Sequence, residues 1–297
     1  MDMLNEVSMK KLNVIIIILS SIILMECGNP GVNLNDAAYE PKITVEAYLY
    51  GGETVNNIRL TRNFALGTPI NSDQYYLTPN NNNVAITING ITLHYDQRTN
   101  TYYNFQITVE YNKTYTLEVY AVIDGKSLHT TSTTTTPQKG FSVLNKNLGQ
   151  FKYNSDSITV KFKPSPGTDF YVFSIVADTS NTRNFIYNNI FRHDIDSSEV
   201  ADNIANYKYQ EGVLSNINSF SGTTYSFTCN ERDTWFYSSY TLVAYAGDQN
   251  FKDYFLTAPN VQEFDGNFHE PISIFNGDGI GVFASAIRNS IKFSIVK

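Results

Sequence analysis

The sequence has few cysteines, few charged residues and no basic run, and each scarcity excludes a class of protein. Cys27 and Cys229 are the only cysteines among 297 residues, so no disulfide framework can hold the fold together. Charged residues make up 16% of the chain, against about 25% in a typical soluble domain. The net charge of -7 excludes a nucleic-acid-binding protein, because neutralising phosphates needs clustered lysine and arginine.

The sequence also lacks the short motifs of common catalytic sites. It contains no HExxH, GxSxG, P-loop or paired CxxC motif, so the zinc, serine-nucleophile and phosphate-binding mechanisms lack their signatures. A hydrolase with an unrecognised site stays open as an alternative, in which His193, Asp194 and Asp196 would share a cleft. We predict that the chain is not an enzyme and needs no cofactor, apart from the calcium site discussed below.

Residues 1–26 have the layout of a lipoprotein signal peptide. Lys10 and Lys11 precede an apolar run, 14–25, that is too short to cross a membrane, since a spanning helix needs about 20 apolar residues. Cys27 follows this run directly, where signal peptidases for lipoproteins cleave and leave an acylated cysteine. Glu26 departs from the small residue expected before the cysteine. We predict lipidation at Cys27.

Alternatives to this interpretation stay open. An uncleaved signal anchor or ordinary secretion would leave Cys27 without lipid, and Cys27 would then be free to pair with Cys229. If Cys27 carries lipid, Cys229 is expected to be a small buried strand residue. Acidic residues after Met1 are unusual in a signal peptide, so Met1 and Met9 are both candidate start residues. Residues 27–39 are rich in Asn, Gly and small side chains and are predicted to form a flexible tether.

Strand signals with a clear local cause follow the tether. Ile43–Tyr50 alternates in side-chain character, as a half-buried strand does. Asn89-Gly90 separates the apolar runs 84–88 and 91–95, and these two residues tolerate the positive φ angles of a type I′ hairpin turn. We therefore predict a two-residue hairpin.

The start of a later strand carries a second signal, at Tyr115. Its position is typical of the tyrosine that fixes the corner before the penultimate strand of an immunoglobulin-like sandwich. Because several short strands follow one another without a helical period, we predict an all-β protein. We predict that residues 40–137 form an immunoglobulin/fibronectin type III-like β-sandwich and that residues 138–297 form a second, less regular β-rich domain. This second domain has a polar insertion, 177–222, and one or two short helices.

Two short segments are candidate ligand sites. Asp194, Asp196 and Glu199 place oxygen ligands near one another, as a weak calcium site would. The alternative is a solvated helix start capped by Asp196 or Ser197. Trp235-Phe236-Tyr237, Tyr75-Tyr76 and Tyr102-Tyr103 lie near turns, where flat rings can stack on a sugar or hold a peptide; the alternative is packing within a tyrosine-rich sandwich. The glycines of segment 277–281 lack the context of a dinucleotide site and predict a tight turn into the final strands.

A set of short motifs in a fixed order resembles a family of Bacteroidota outer-membrane lipoproteins catalogued as a domain of unknown function. The motifs are Glu40–Ala47, Ile58–Arg62, the Asn89-Gly90 hairpin, Tyr115–Val119, Pro137, Glu270-Pro271 and Asn276–Phe283. Members are often encoded beside TonB-dependent receptors, and no catalytic residues are assigned to them. The resemblance implies an outer-membrane location, in either the periplasmic or the surface leaflet. Ser157 lies in a three-residue O-glycosylation sequon of Bacteroidota.

Three functions remain in view. We predict a non-catalytic envelope lipoprotein that acts as a binding or assembly module for a protein partner or a nutrient. The resemblance adds that this partner is a TonB-dependent transporter. An adhesin or surface-structure component is the second hypothesis, and the hydrolase named above is the third.

Overall fold

The computed structural model describes residues 39–65, 67–153, 157–188, 197–214, 223–230, 234–258 and 271–297. The predicted signal peptide, the predicted lipidation site Cys27, most of the predicted tether, Asp194 and Asp196 lie outside these ranges. Residues 41–64 and 69–297 form one compact unit.

The strands of the described residues are β1 Ile43–Tyr50, β2 Thr54–Arg62, β3 Ala85–Ile88, β4 Ile91–Thr92, β5 His94–Asp96, β6 Thr101–Thr108, β7 Thr114–Ile123, β8 Lys126–Thr135, β9 Ser142–Val143, β10 Gly149–Lys152, β11 Ser157–Lys163, β12 Phe170–Ala177, β13 Tyr209–Leu214, β14 Tyr225–Asn230, β15 Ser239–Gly247, β16 Asn276–Gly277 and β17 Gly279–Val296. The helices are α1 Ser72–Tyr75, α2 Pro79–Asn82, α3 Ser197–Asn203 and α4 Gln249–Thr257, with a 3-10 turn at Ile204–Tyr207. The predicted all-β class is confirmed.

The N-terminal half of the unit is a sandwich of two sheets. One sheet contains the order β1-β2-β6-β5 and the other the order β8-β7-β3-β4. This arrangement corresponds to the ABED and GFC sheets of an immunoglobulin-like sandwich. The alternation of β1 explains its place, because Ile43, Val45, Ala47 and Leu49 are buried in the core between the sheets. Burial of Ile43, Val45 and Leu49 contributes about 1.5–3 kcal/mol for each side chain.

Three tyrosines fix strand corners in the same way. Tyr115, Tyr171 and Tyr240 are each the second residue of a strand, and each hydroxyl accepts a backbone N–H from four to six residues upstream. The distances are 2.7 Å from Glu110 N to Tyr115 and 2.8 Å from Phe236 N to Tyr240. Burial raises the pKa of Tyr171 to about 12. The predicted corner at Tyr115 is confirmed, and the C-terminal half repeats it.

The predicted hairpin is present, but its second strand is shorter than expected. Asn89 and Gly90 have φ angles of 49° and 77°, as a type I′ turn requires. The prediction of one strand over 91–95 is wrong, because β4 pairs with β3 whereas β5 pairs with β6 in the opposite sheet. Leu93 lies between them and is 5% exposed, so the chain changes sheets around a buried side chain.

The C-terminal half forms a second sandwich. The order β9-β11-β14 makes one sheet, and the order β13-β12-β15-β17, with β10 also on β17, makes the other. A separate hydrophobic core, which includes Phe162, Phe173 and Phe293, lies between them. The stretch predicted as a polar insertion, 177–222, contains α3, the 3-10 turn and β13, which returns to pair with β12.

Strand β17 belongs to both sandwiches. It runs antiparallel to β15 over residues 286–294 and parallel to β1 over residues 279–286. The strands from both halves therefore form one nine-stranded sheet. Two glycines permit the close approach to the N-terminal sandwich, since a Cβ on Gly279 would lie 2.1 Å from Thr130 Oγ1 and one on Gly281 would lie 2.2 Å from the Val45 carbonyl oxygen.

A buried carboxylate connects the two halves. Asp248 caps α4 by accepting the Phe251 N–H at 2.9 Å, and it also accepts hydrogen bonds from Ser285 N and from the Thr134 hydroxyl. Thr134 belongs to β8 and Ser285 to β17, so one side chain binds elements of both sandwiches. Burial raises the pKa of Asp248 despite these bonds.

Candidate functional site

The outer face of the β1-β2-β6-β5 sheet carries a row of three rings, here called the aromatic row: His94 and Phe105, which are exposed, and Tyr103 between them, which is half-buried. Tyr102 and Asn104 alternate with Tyr103 and Phe105 along β6 and are buried, so the row residues point away from the core. His94 on β5 lies directly opposite Tyr103. Phe105 is 64% exposed, which is a large apolar surface left in contact with water.

The three rings contact one another. The Tyr103 and Phe105 centroids are 4.6 Å apart with 34° between the planes, and the His94 and Tyr103 centroids are 5.8 Å apart. Their positions on paired strands fix this spacing, because neighbours on one face of a sheet lie within reach of aromatic side chains. The result is a continuous apolar patch on a flat surface.

A β-bulge places two carboxamides beside the row. Val55 pairs with Asn104 and Ile58 pairs with Tyr102, so Asn56 and Asn57 together oppose Tyr103. Asn57 has a φ angle of 55°, a conformation that asparagine tolerates better than most residues. Its amide nitrogen donates to Asn56 Oδ1 at 3.0 Å, and its own carboxamide oxygen takes no part in that bond. Bulges often re-aim side chains near functional sites.

An ion pair extends the polar border of the row. Arg59 on β2 pairs with Glu46 on β1 at 2.9 Å, and the two residues are directly opposite in register. The Arg59 and Glu46 side chains are 41% and 54% exposed, so the pair adds about 0–1 kcal/mol of stability. Because the charges neutralise each other, the surroundings of the row are polar and carry little net charge.

A cleft of about 360 Å³ lies next to the aromatic row, and Gln106, the residue after Phe105, is one of its lining residues. It lies on the side of the sandwich between β6 and β4, and Ile91 and Ile107 form its apolar walls. Gln106, Glu110 and Lys113 supply polar groups, as do the other lining residues Asn89, Thr108 and Tyr115. The opposite side of the sandwich is closed by β16 and β17, which pair with β8 and β1.

The residues predicted for ligand contact in the second domain lie mainly against its core. Phe236 is fully buried, and its N–H binds the Tyr240 hydroxyl. Trp235 is half-buried and stacks on Phe185 with 5.8 Å between centroids, and Tyr237 is also half-buried. Ligand contact by Trp235 and Tyr237 therefore stays a prediction.

The other predicted site residues are placed separately. Glu199 is exposed in the first turn of α3, while the remaining predicted calcium ligands lie outside the described residues. Ser157 is exposed at the start of β11. Within the described ranges, no group of three or more His, Cys, Asp or Glu side chains is placed to hold a metal ion. Cys229 is half-buried on β14.

Among the three aromatic segments predicted from sequence, Tyr102-Tyr103 divides between two roles. Tyr102 is buried and donates its hydroxyl to the Leu77 carbonyl at 2.9 Å, whereas Tyr103 joins the aromatic row. In Tyr75-Tyr76 the rings pack edge to face at 5.0 Å, and Tyr75 is 40% exposed. The sequence prediction missed Phe105. Its two-residue spacing from Tyr103 is the signal that places both rings on one face of a strand.

The glycine segment 277–281 has a structural role. Gly277 and Gly281 adopt φ angles of 88° and 105°, and the segment passes between β8 and β1 as it enters β17. This agrees with the predicted turn into the final strands. As for membrane spans, none of the helices in the described ranges is long and apolar enough to cross a bilayer.

Residues 31–286 match a protein family described as "Domain of unknown function (DUF4249)". The chain belongs to this family. The matched range includes the aromatic row, the cleft and the first part of β17. Among curated proteins, no sequence matches the chain. The family's description names no ligand or activity, so comparison by sequence assigns none to this DUF4249 member.

Solved structures of tandem β-domains resemble the chain only distantly. The fibronectin(III)-like modules of Clostridium thermocellum CbhA share 9% identity over 86% of this chain and 94% of theirs, with a TM-score of 0.24. Domains 4 and 5 of the S-layer protein SbsC share 11% identity over 87% of this chain and 98% of theirs, with a TM-score of 0.20. The titin domains z1z2 in complex with telethonin share 9% identity over 86% of this chain and 95% of theirs, with a TM-score of 0.19. At such TM-scores these likenesses support no conclusion about this chain.

Proposed function

We propose that this DUF4249 protein is a non-catalytic binding lipoprotein of the bacterial outer membrane, acylated at Cys27 and accessory to a TonB-dependent receptor. The aromatic row is the observation that supports a binding role, because adjacent rings that leave apolar surface in water often mark an interaction site. The row presents its ligand to the receptor, while the rest of the sandwich is a rigid support.

Two further features support this proposal. The layout of residues 1–27, a basic start and an apolar run that ends at a cysteine, is what acylation requires. Several acyl chains on one cysteine hold a protein stably at a membrane, whereas one chain binds only weakly. The motifs that resemble the family named in the sequence analysis support the receptor as partner.

Labelling with radioactive palmitate in cells tests the anchor. We expect label on the wild-type protein and its recovery with the outer membrane. Cys27→Ala should lose the label and leave the membrane fraction, whereas the matched variant Cys229→Ala should keep both. Label on Cys27→Ala, or wild-type protein in the cytosolic fraction, contradicts the proposal.

Affinity purification from detergent-solubilised membranes tests the receptor. The wild-type chain should co-purify with a TonB-dependent receptor, and a fibrous or fimbrial assembly in its place would support an adhesin instead. Recovery of neither partner after chemical cross-linking in cells contradicts a binding role.

A further inference from the structure

We infer that the aromatic row binds a neutral oligosaccharide, stacking sugar rings on Tyr103 and Phe105 while the exposed carboxamide of Asn57 binds hydroxyl groups. This inference rests on the proposed binding function and names the ligand class of the same site. Four properties of the row support it, and each is taken in turn.

The first property is the free ring surface. Phe105 is 64% exposed, and the half-buried Tyr103 ring lies beside it with 4.6 Å between centroids. The C–H face of a pyranose is apolar and flat, so it removes water from an exposed aromatic ring without needing a groove. Two adjacent rings at this spacing offer surfaces to consecutive sugars.

The second property is the polar chemistry beside the rings. A sugar hydroxyl both donates and accepts hydrogen bonds, and a carboxamide does the same. The bulge brings exposed Asn57 opposite Tyr103, and Asn56 holds it there by donating to the Thr54 carbonyl and accepting from the Asn57 amide nitrogen. A patch with rings and carboxamides therefore matches a ligand whose faces are apolar and whose edges carry hydroxyls.

The third property is charge. The charged side chains beside the row form two ion pairs, Arg59 with Glu46 at 2.9 Å and Asp96 of β5 with Arg98 at 3.5 Å. An anionic glycan or a nucleic acid would need unpaired cations, and the protein as a whole carries a net charge of -7. A neutral ligand is the one that this surface fits.

The fourth property separates a sugar from a peptide. Peptides bind to sheet edges, to grooves that take a helix, or to aromatic grooves that take a polyproline segment. Tyr102 pairs with Ile58 of β2 on one side and with Tyr95 of β5 on the other, so this part of β6 is inside the sheet and Tyr103, the next residue, lies on a sheet face.

The test measures binding of cellohexaose, laminarihexaose, maltohexaose and mannohexaose to the full chain in detergent by calorimetry. We expect at least one to bind. Phe105→Ala should weaken that binding by about tenfold, the loss of one stacked aromatic contact, and Phe105→Trp should restore it. Tyr120→Ala removes a ring of similar exposure from the opposite face and should leave the affinity unchanged.

Three results overturn the inference: binding of none of the four sugars, equal affinity of wild type and Phe105→Ala, or binding of heparin fragments or polyproline peptide at the row in their place. Melting curves show that each variant is folded. If no sugar binds but the wild-type chain still recovers a receptor, and Phe105→Ala recovers less of it, the sugar is rejected and the proposed function is kept. If the chain binds a sugar but fails the palmitate test, the proposed lipoprotein function is rejected and the sugar ligand is kept.

Discussion

The two outer faces of the N-terminal sandwich both expose aromatic rings, but they use them differently. On the β8-β7-β3-β4 side, Tyr120 is 47% exposed, yet its ring stacks on His129 at 4.2 Å and its hydroxyl donates to Glu118 at 2.8 Å. His129 Nε2 contacts the same Glu118 carboxylate at 3.0 Å. Tyr120 is therefore satisfied by its own neighbours.

The aromatic row lacks such partners. Tyr103 and Phe105 contact other rings, and within the described ranges no side chain or backbone group hydrogen-bonds to the Tyr103 hydroxyl. The comparison teaches that exposure alone does not identify a binding surface. A ring whose face and polar tip are already occupied offers little to a ligand, whereas a ring with a free face gains from covering it.

The largest expected effect is a loss of stability of the whole sandwich, which would affect both faces. Gly281→Ala would place a methyl group 2.2 Å from the Val45 carbonyl oxygen at a φ of 105°, and we expect a loss of about 3 kcal/mol or more from the clash and the backbone strain. Gly90→Ala is the matched control, because its φ is 77° and nothing lies within 4 Å of the added carbon. It should cost about 1–2 kcal/mol. Urea unfolding measures both, and equal losses would contradict the role of Gly281.

A pair of hydroxyl deletions compares a structural tyrosine with a free one. Tyr115→Phe removes the acceptor of the Glu110 N–H, which lies 2.7 Å away, and should lower the free energy of unfolding by about 1 kcal/mol. Tyr103→Phe should change it by less than about 0.5 kcal/mol. If Tyr103→Phe proves as destabilising as Tyr115→Phe, then Tyr103 has a structural partner and the contrast between the faces is wrong.

Removing one carboxamide sharpens the assignment of the polar border. Asn57→Gly keeps a residue that tolerates the φ of 55° and should leave stability within about 0.5 kcal/mol. Oligosaccharide affinity should fall about fivefold, the value of one hydrogen bond. Calorimetry on the sugar that binds the wild type measures the change, and full affinity in Asn57→Gly would remove this residue from the site.

The smallest expected effect is a pH dependence on the opposite face. The hydrogen bond from Tyr120 lowers the pKa of Glu118 below its ordinary value of 4.5, and the hydrogen bond from His129 is the second-largest cause of this lowering. The unfolded chain therefore takes up this proton at a higher pH than the folded chain, so the contribution is present above 4.5 and is lost as the pH falls through the lowered pKa. Unfolding midpoints of wild type and Glu118→Gln should converge in acid. A constant difference between them from neutral pH to acid would contradict this.

Local signals in the sequence predicted much of the fold. Strand β1 has the predicted bounds because its alternation is a property of eight consecutive residues, and Tyr115 was found because its motif is local. The sharing of β17 between both sandwiches was not predicted, since its parallel pairing with β1 joins residues more than 230 positions apart. Local pattern also could not show that the chain changes sheets at Leu93.

The aromatic row was predicted only in part for a similar reason. Tyr103 was a candidate because tyrosine pairs near turns are easily seen, but three such candidates could not be ranked by sequence. Which ring is buried depends on the sheet face that another element covers. Phe236 lies in a core, Tyr120 is held by Glu118, and Phe105 faces water, and these differences arise from tertiary packing.

Aromatic carbon NMR of the full chain, titrated with the oligosaccharide that binds it, tests the free-ring account most directly. The ring signals of Tyr103 and Phe105 should shift in proportion to bound ligand, with those of Tyr120 unchanged. Shifts at Tyr120 with none at Tyr103 and Phe105 would contradict the account.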